Sequence, residues 1–393
     1  MNNIKWFIRV MTTRDENIIN AVNINYFGKV FDLRTSMYFK NFVVEAIRKT
    51  MYTLIDADIT FTKCWKASEK RSVKKFFEKT GLVKIQPSLE EDSLKLEYIN
   101  SQVINAIVDE VLKFQRDIVA QTTQFGHLRK FFELPEESEG KTKLYAIVAP
   151  YFAVNSVKED WYEVNLDLLR TSIKRKEPEE KLYAAIAIHR NILGDSSAIR
   201  KIIDDYSLGH IDGYAIWIVE FDEIENASHI KEFKNFIYKL SELKKPILNL
   251  YGGYYSLLLS KLGVLEGIVT KICYKQKRIP CQSGGPAREN YYFLPIKNKI
   301  SPQLAGSIIH RNTSYLCDCP VCNKFMKGYG ILDMSTEDLK KHFLYAFKNE
   351  VNNVMMHSLK TLLHQLKENT EEFASLLDVE YMNEWYDSLI NSA

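Results

Sequence analysis

The chain has 393 residues, 46% hydrophobic and 26% charged, with a net charge of +3. This is the balance of an ordinary soluble globular protein, long enough for one large α/β barrel or two average domains, and too weakly basic to argue for nucleic acid except through local patches. No run is long and apolar enough to cross a bilayer, and Met1 to Arg9 has no signal-peptide form, so a cytoplasmic protein with no membrane association is expected; Cys64, Cys273 and Cys281 then read as free thiols.

Residues 4–11 are strand-like but carry no assignable chemistry, and 1–50 is expected to be an N-terminal segment packing on a barrel that begins after it. From about residue 50, strand-like runs at 52–61, 117–122, 144–152, 182–188, 213–219, 246–251 and 267–274 alternate with helical patterns at 68–79, 99–116, 157–173, 196–206, 228–243 and 254–262. Strand, helix and strand at this spacing imply right-handed crossovers and a parallel sheet. Seven strands, with an eighth in a less regular stretch, predict a (β/α)8 TIM barrel over 51–280, followed by a smaller domain and terminal helices over 281–393. An open doubly wound sheet is the alternative, weakened by the lack of a Gly-x-Gly-x-x-Gly turn. Residues 134–141 form a polar surface loop, and 279–290 are rich in Gly, Pro and basic residues.

In a barrel the chemistry sits at the carboxyl ends of the strands. The first predicted strand ends with two carboxylates, Asp56 and Asp58, which either act in catalysis or cap a turn. His189 stands at the end of 182–188, where a structural hydrogen bond is as natural as catalysis. Trp217, Glu220, Asp222 and Glu223 close the 213–219 run; Glu223 and Glu225 read as a solvated acidic stretch before a helix. Gly252 and Gly253 mark a strand-to-helix turn that allows close backbone approach, with a helix N-terminus able to hold a phosphate.

Cys317-Asp318-Cys319-Pro320-Val321-Cys322, with His342 on a predicted helix downstream, is the most specific motif. Three thiolates and one imidazole suit a closed tetrahedral zinc site of structural type, since no position is left for water. His342 is the preferred fourth ligand, with His357 second and His364 also available.

This arrangement, late in a chain of alternating strands and helices, resembles the zinc subdomain of tRNA-guanine transglycosylases and of their DpdA-like relatives, which insert 7-deazaguanines into DNA. The resemblance implies base exchange: an Asp carboxylate attacks C1′ as guanine departs, a second acid shuttles protons, and a 7-deazaguanine such as preQ0 displaces the enzyme. Asp56 matches the strand-end Asp of the family's Asp-Ser-Gly-Gly-Phe-Gln motif. Trp217, Glu220, Asp222, His189, Gly252 and Gly253 fall where the family addresses the base, and Lys275, Lys277, Arg278 and Arg288 resemble its phosphate-contacting segment. The family nucleophile's position holds Ile268, so Asp56 is the leading substitute. This divergence, with no RNA-binding appendage, favours DNA over tRNA as substrate; a non-catalytic, zinc-stapled binding barrel is the alternative of another class. Partner proteins and a homodimer are further implications; the aromatic stretch 343–347 would serve the dimer contact or, equally, be core against the barrel.

Overall fold

The computed structural model describes residues 4–131, 142–272, 275–282, 290–326 and 330–392. Nine parallel strands build one sheet: β1 (Lys5–Arg9), β2 (Gly28–Asp32), β3 (Tyr52–Asp56), β4 (Lys143–Leu144), β5 (Ile147–Val148), β6 (Leu182–His189), β7 (Gly213–Val219), β8 (Ile247–Asn249) and β9 (Gly267–Lys271). Their order is β4-β3-β2-β1-β9-β8-β7-β6-β5. β4 pairs with β3 and β5 with β6, so these two short pieces fill one position of an eight-position ring. Beyond them the ring closes: Ile59 N donates to Tyr151 O at 3.0 Å, and Tyr151 N donates to Ala57 O at 3.3 Å. The fold is a (β/α)8 TIM barrel.

The N-terminal segment differs from the sequence reading. Residues expected to pack on the barrel supply its first two strands, with β1 hydrogen-bonded to both β2 and β9 in the register Phe7↔Gly28 and Arg9↔Lys271. In β1 the period-2 alternation puts Lys5, Phe7 and Arg9 on one face. Buried charge on that face hides the apolar run by which parallel strands are usually recognised. The barrel thus begins at Lys5 rather than near residue 51.

A second difference concerns residues 117–122, which lie inside the helix Ser101–Phe131 rather than in a strand. Val103, Ile107, Val111 and Ile118 are all fully buried at helical spacing, and the helix runs on through the short β-branched stretch. The missing strand pairing is made by a side chain. Gln115 donates to Val148 O and accepts from Val148 N, both at 2.9 Å, beside the two-residue β5. The predicted loop at 134–141 lies outside the described residues.

The amino-terminal end of the barrel is plugged. Lys5 bonds Glu266 and donates to Tyr145 Oη at 2.8 Å, Tyr183 Oη donates to Glu266 at 2.9 Å, and Phe7, Phe27 and Tyr52 pack around them. Gly213 makes room for this layer, since a Cβ there would sit 2.5 Å from the Tyr183 ring. Only the opposite, carboxyl-terminal end remains for chemistry.

Beyond β9 the chain forms an antiparallel hairpin of β10 (Tyr291–Phe293) and β11 (Asn298–Ile300), then helices Pro302–Arg311, Pro320–Met326, Thr336–Met356, Leu359–Phe373 and Glu380–Leu389. Helix Thr336–Met356 lies on the barrel through Phe347 against Trp6, at 5.4 Å between ring centroids, and through the buried Lys340–Asp15 pair at 2.8 Å. Phe343 and Phe347 are 1% and 2% exposed, so of the two readings of this aromatic stretch its phenylalanines follow the core one. Among the described residues no helix is long and apolar enough to cross a membrane.

Candidate functional site

At the carboxyl-terminal mouth, strand ends converge on a cluster of buried charge. Arg9, ending β1 and 1% exposed, donates from Nη1 to Asp32 Oδ1 at the end of β2 and to Asp56 Oδ2 at the end of β3, the latter at 2.8 Å. Its Nη2 donates to Leu250 O at 3.3 Å, and its guanidinium lies 4.4 Å from the Tyr251 ring centroid. Tyr151 Oη donates to Asp56 Oδ1 at 2.6 Å.

Arg278, from the loop after β9, enters this cluster from above. Its Nη2 is 2.7 Å from Asp58 Oδ2, its Nη1 donates to Tyr251 Oη at 3.0 Å, and the same nitrogen is 3.7 Å from both Asp32 and Asp56. The guanidinium lies 4.9 Å from the Trp217 ring, whose buried Nε1 has no hydrogen-bond partner among the described residues. Three carboxylates and two guanidiniums thus share one aromatic-lined mouth.

The two outer carboxylates are driven in opposite directions. Burial raises the pKa of Asp58 above the usual carboxylate range, and Arg278 offsets this only in part. At Asp32 burial also acts upward, but Arg278 and Arg9 outweigh it and hold the group below its ordinary value. Lys271, ending β9, is brought down to about 7 by burial and by its cationic neighbours Arg9 and Arg278. Its Nζ donates to Lys277 O at 2.5 Å.

The structure brings Asp56, Asp58, Trp217 and Arg278 together as the sequence predicts. Arg9, Asp32, Tyr151 and Lys271 were missed. Arg9 lies in the strand-like segment 4–11 to which no chemistry was assigned, Asp32 ends a strand that was not recognised, and Lys271 stands three residues beyond the Ile268 at which the last strand was searched. Ile268 itself is fully buried within β9.

Other predicted residues have local roles. Asp222 Oδ1 accepts from the backbone N–H groups of Ile224 and Glu225 at 3.0 and 3.3 Å, a turn cap rather than a base reader. His189 lies 3.6 Å from Glu220, whose φ of 59° marks a tight left-handed turn at the end of β7. Lys275 and Lys277 share the single carboxylate of Glu225, so two of the predicted phosphate-binding cations are partly neutralised within the protein. Arg288 lies outside the described residues.

Glu223 is buried rather than solvated. It accepts from Ser256 Oγ and from Ser256 N, and a Cβ on Gly253 would fall 2.8 Å from its Oε2. The N-terminus of helix Tyr254–Lys261 is therefore already occupied by a carboxyl, which takes the place of the predicted phosphate at Gly252 and Gly253. Burial pushes this carboxyl up to about 7. The folded state holds the proton more tightly than the unfolded chain. The group's stabilising contribution is therefore full below pH 4.5 and is lost as pH rises through 7. Between pH 5 and 8 this amounts to about 2 to 3 kcal/mol. Glu223→Gln keeps an acceptor for Ser256 N, while its amide donates to Ser256 Oγ and so reverses that bond. Urea unfolding at the two pH values is expected to show a correspondingly smaller pH dependence in the variant.

The cysteine cluster is assembled as predicted. Cys317, Cys319, Cys322 and His342 are all buried, and their ligand atoms lie within 4.8 Å of one another, a set that can hold a metal ion. His342 Nδ1 is 3.5 Å from Cys319 Sγ and 3.3 Å from Cys322 Sγ. A tetrahedral shell with metal–sulfur and metal–nitrogen bonds of about 2.3 and 2.0 Å requires roughly 3.5 Å between such atoms. His342 Nε2 is 2.8 Å from Tyr292 O; donating to that carbonyl frees Nδ1 for the metal. His357 ends the same helix, and His364 is exposed beside Glu368 at 3.3 Å, so neither competes as the fourth ligand.

Cys64 and Cys281 are not the free thiols expected. They form a disulfide with a Cα–Cα distance of 5.6 Å across 217 residues of sequence, joining the loop that carries Arg278 to the helix after Asp58. Barrel closure brings these loops to one mouth, a proximity that spacing along the chain does not reveal. Cys273 lies outside the described residues.

No protein-family model and no curated protein matches the chain. Among solved structures it is similar to the CBM22-1–GH10 modules of endo-1,4-β-D-xylanase 10B from Clostridium thermocellum, complexed with xylohexaose. That likeness has 9% identity and a TM-score of 0.38, and covers 69% of this chain and 58% of that one. It is also similar to TsXylA, an intracellular xylanase from Thermoanaerobacterium saccharolyticum in complex with xylotetraose. There the identity is 11% and the TM-score 0.37, with 68% of this chain and 85% of that one covered. Likenesses this distant carry no argument about chemistry.

Proposed function

We propose that the protein is a base-exchange transglycosylase that replaces guanine in DNA with a 7-deazaguanine through an Asp-linked glycosyl intermediate. The observation that carries this reading is the pair Asp32 and Asp58, both against Arg278, with protonation tendencies pushed apart. Such a pair is what glycosidic chemistry requires of an ionised group and an acid. Asp32 attacks C1′ and the C1′–N9 bond breaks as the Asp58 proton passes to the departing guanine. The incoming base then forms its own bond to C1′, releases Asp32, and returns a proton to Asp58.

Asp56 moves from nucleophile to positioning residue, because it is fully buried and held by Arg9 and Tyr151. Trp217 and Tyr251 offer flat surfaces against which a flipped base can pack. The metal is zinc, held by Cys317, Cys319, Cys322 and His342 in a closed structural site, since thiolates with one imidazole suit that ion. DNA is preferred to tRNA because the strand-end motifs depart from those of the tRNA enzymes.

The test is nucleoside mass spectrometry after incubating metal-loaded protein with preQ0 and either duplex DNA or tRNA. Incorporation into DNA is expected, falling about 10²- to 10⁴-fold in Asp58→Asn, with a comparable or larger loss in Asp32→Asn. Incorporation into tRNA alone moves the substrate assignment. None in either, from folded protein, leaves a binding barrel and overturns the reading.

A further inference from the structure

Most cations at the barrel mouth are committed to partners within the protein. Arg9 is held by Asp32 and Asp56, and Arg278 by Asp58. Lys271 donates to Lys277 O, Lys63 donates to Ala153 O at 2.8 Å, and Lys275 and Lys277 share Glu225. Arg34 is the exception. It stands two residues beyond Asp32, in the first turn of helix Leu33–Tyr38, and its guanidinium makes no hydrogen bond or ion pair among the described residues. The side chain is half-buried, yet none of its unpaired nitrogens is sealed from solvent.

Aromatic rings hold this guanidinium in place. It lies 4.9 Å from the centroid of the Trp65 ring and 5.9 Å from that of Phe61, two residues one helical turn apart. Such contacts orient the planar fork while leaving its N–H donors free. Lys70, exposed and also without an ion pair among the described residues, has its Nζ 5.5 Å from the same Trp65 ring. Cys64, next to Trp65, is tied by its disulfide to Cys281 in the loop that carries Arg278.

The missing partner is an anion. Burial draws the pKa of Arg34 down and Arg278 adds to this, outweighing the opposite pull of Asp32 and Asp58, whose carboxylates are already engaged by other guanidiniums. A guanidinium fork matches a phosphate group, and two unpaired cations on one indole suit a ligand with anions in series. A nucleic-acid backbone is such a ligand, and its phosphates are what positions it on a protein.

We propose that Arg34, with Lys70, binds the phosphodiester backbone beside the nucleotide that enters the mouth, with Trp65 orienting the guanidinium. The proposal rests on the exchange reading only in taking DNA as the substrate. It moves the phosphate contact from residues 275–278 to the side of the mouth formed by β2 and β3.

The test is fluorescence anisotropy of a labelled DNA duplex titrated with metal-loaded protein at several salt concentrations. Removing one phosphate contact is expected to reduce the steepness of log affinity against log salt by about 1. That reduction is expected in Arg34→Gln and again in Lys70→Gln, while Arg34→Lys keeps the charge and the wild-type slope. Neither group makes a bond to another part of the fold, so both glutamine variants are expected to unfold near the wild-type temperature. A merely structural Arg34 would leave the slope unmoved. An unchanged slope in Arg34→Gln, or no DNA binding by the wild type, overturns the site. A reduced slope in a protein that incorporates no 7-deazaguanine refutes the exchange reading and leaves this site standing; incorporation with an unchanged slope does the reverse.

Discussion

Replacing Arg9 by alanine is expected to destabilise the protein by about 3–5 kcal/mol, the range for breaking a buried pair by removing one partner. Arg9 is 1% exposed and Asp56 fully buried, so loss of the guanidinium strands a carboxylate where water cannot reach it. Tyr151 Oη remains on Asp56 and Arg278 stays 3.7 Å away, yet one neutral hydrogen bond and a more distant, shared guanidinium do not replace a cation that also spans Asp32 and Leu250 O. Arg9→Lys is expected to recover only part of the loss, because a single ammonium cannot reproduce the guanidinium's fork across β2, β3 and the loop after β8. Denaturant unfolding of both variants at pH 7 measures this. A cost below about 1 kcal/mol for Arg9→Ala would mean that the cluster is hydrated and its ion pairs screened. The same reasoning separates Asp56 from Asp58 as functional probes. Removing Asp56 takes one of the two carboxylates from Arg9 and leaves Tyr151 Oη without its acceptor, so activity and stability fall together, whereas Asp58 contacts the partly exposed Arg278 and can be altered with less damage to the fold.

The parts of this molecule that were legible in the sequence are those whose signal is local. The alternation from β3 onward is carried by apolar runs such as Leu182–His189 and Gly213–Val219, buried along nearly their whole length. The metal cluster was legible because its thiols lie within six residues of one another. What escaped depends on closure of the ring. Residues 4–11 read as strand-like but without chemistry, because the charges of Lys5, Arg9, Lys29 and Asp32 on β1 and β2 make sense only once Glu266, Glu16, Arg278 and Asp56 are brought beside them. Glu223 read as solvated because nothing in its neighbourhood announces Ser256, which lies beyond β8 on helix Tyr254–Lys261. At 117–122 a β-branched stretch imitates a strand, and only the helical spacing of the preceding buried residues overrules it.

Loss of the metal is the second large effect expected, and it should spread beyond the ligands. Cys322→Ser removes one thiolate and leaves Cys317, Cys319 and His342 buried around an incomplete shell. Structural zinc contributes an apparent 10–16 kcal/mol in small zinc-binding peptides, roughly an upper bound for a site partly supported by other packing. His342 connects the site to the rest of the molecule: its ring stacks on Tyr291 at 4.0 Å and its Nε2 meets Tyr292 O, so the hairpin β10–β11 is tied to helix Thr336–Met356 through this residue. That helix in turn covers Trp6 on β1. Metal analysis is expected to find one zinc per chain in the wild type and almost none in Cys322→Ser, with His357→Ala unchanged. Hydrogen exchange should then accelerate first in Tyr291–Phe293 and Asn298–Ile300 and next along Thr336–Met356, while β6 and β7 on the far side of the ring keep their protection. Uniform acceleration through β6 and β7 would show that the barrel cannot stand without the metal; no acceleration in the hairpin would show that His342 and its neighbours pack as well without an ion as with one.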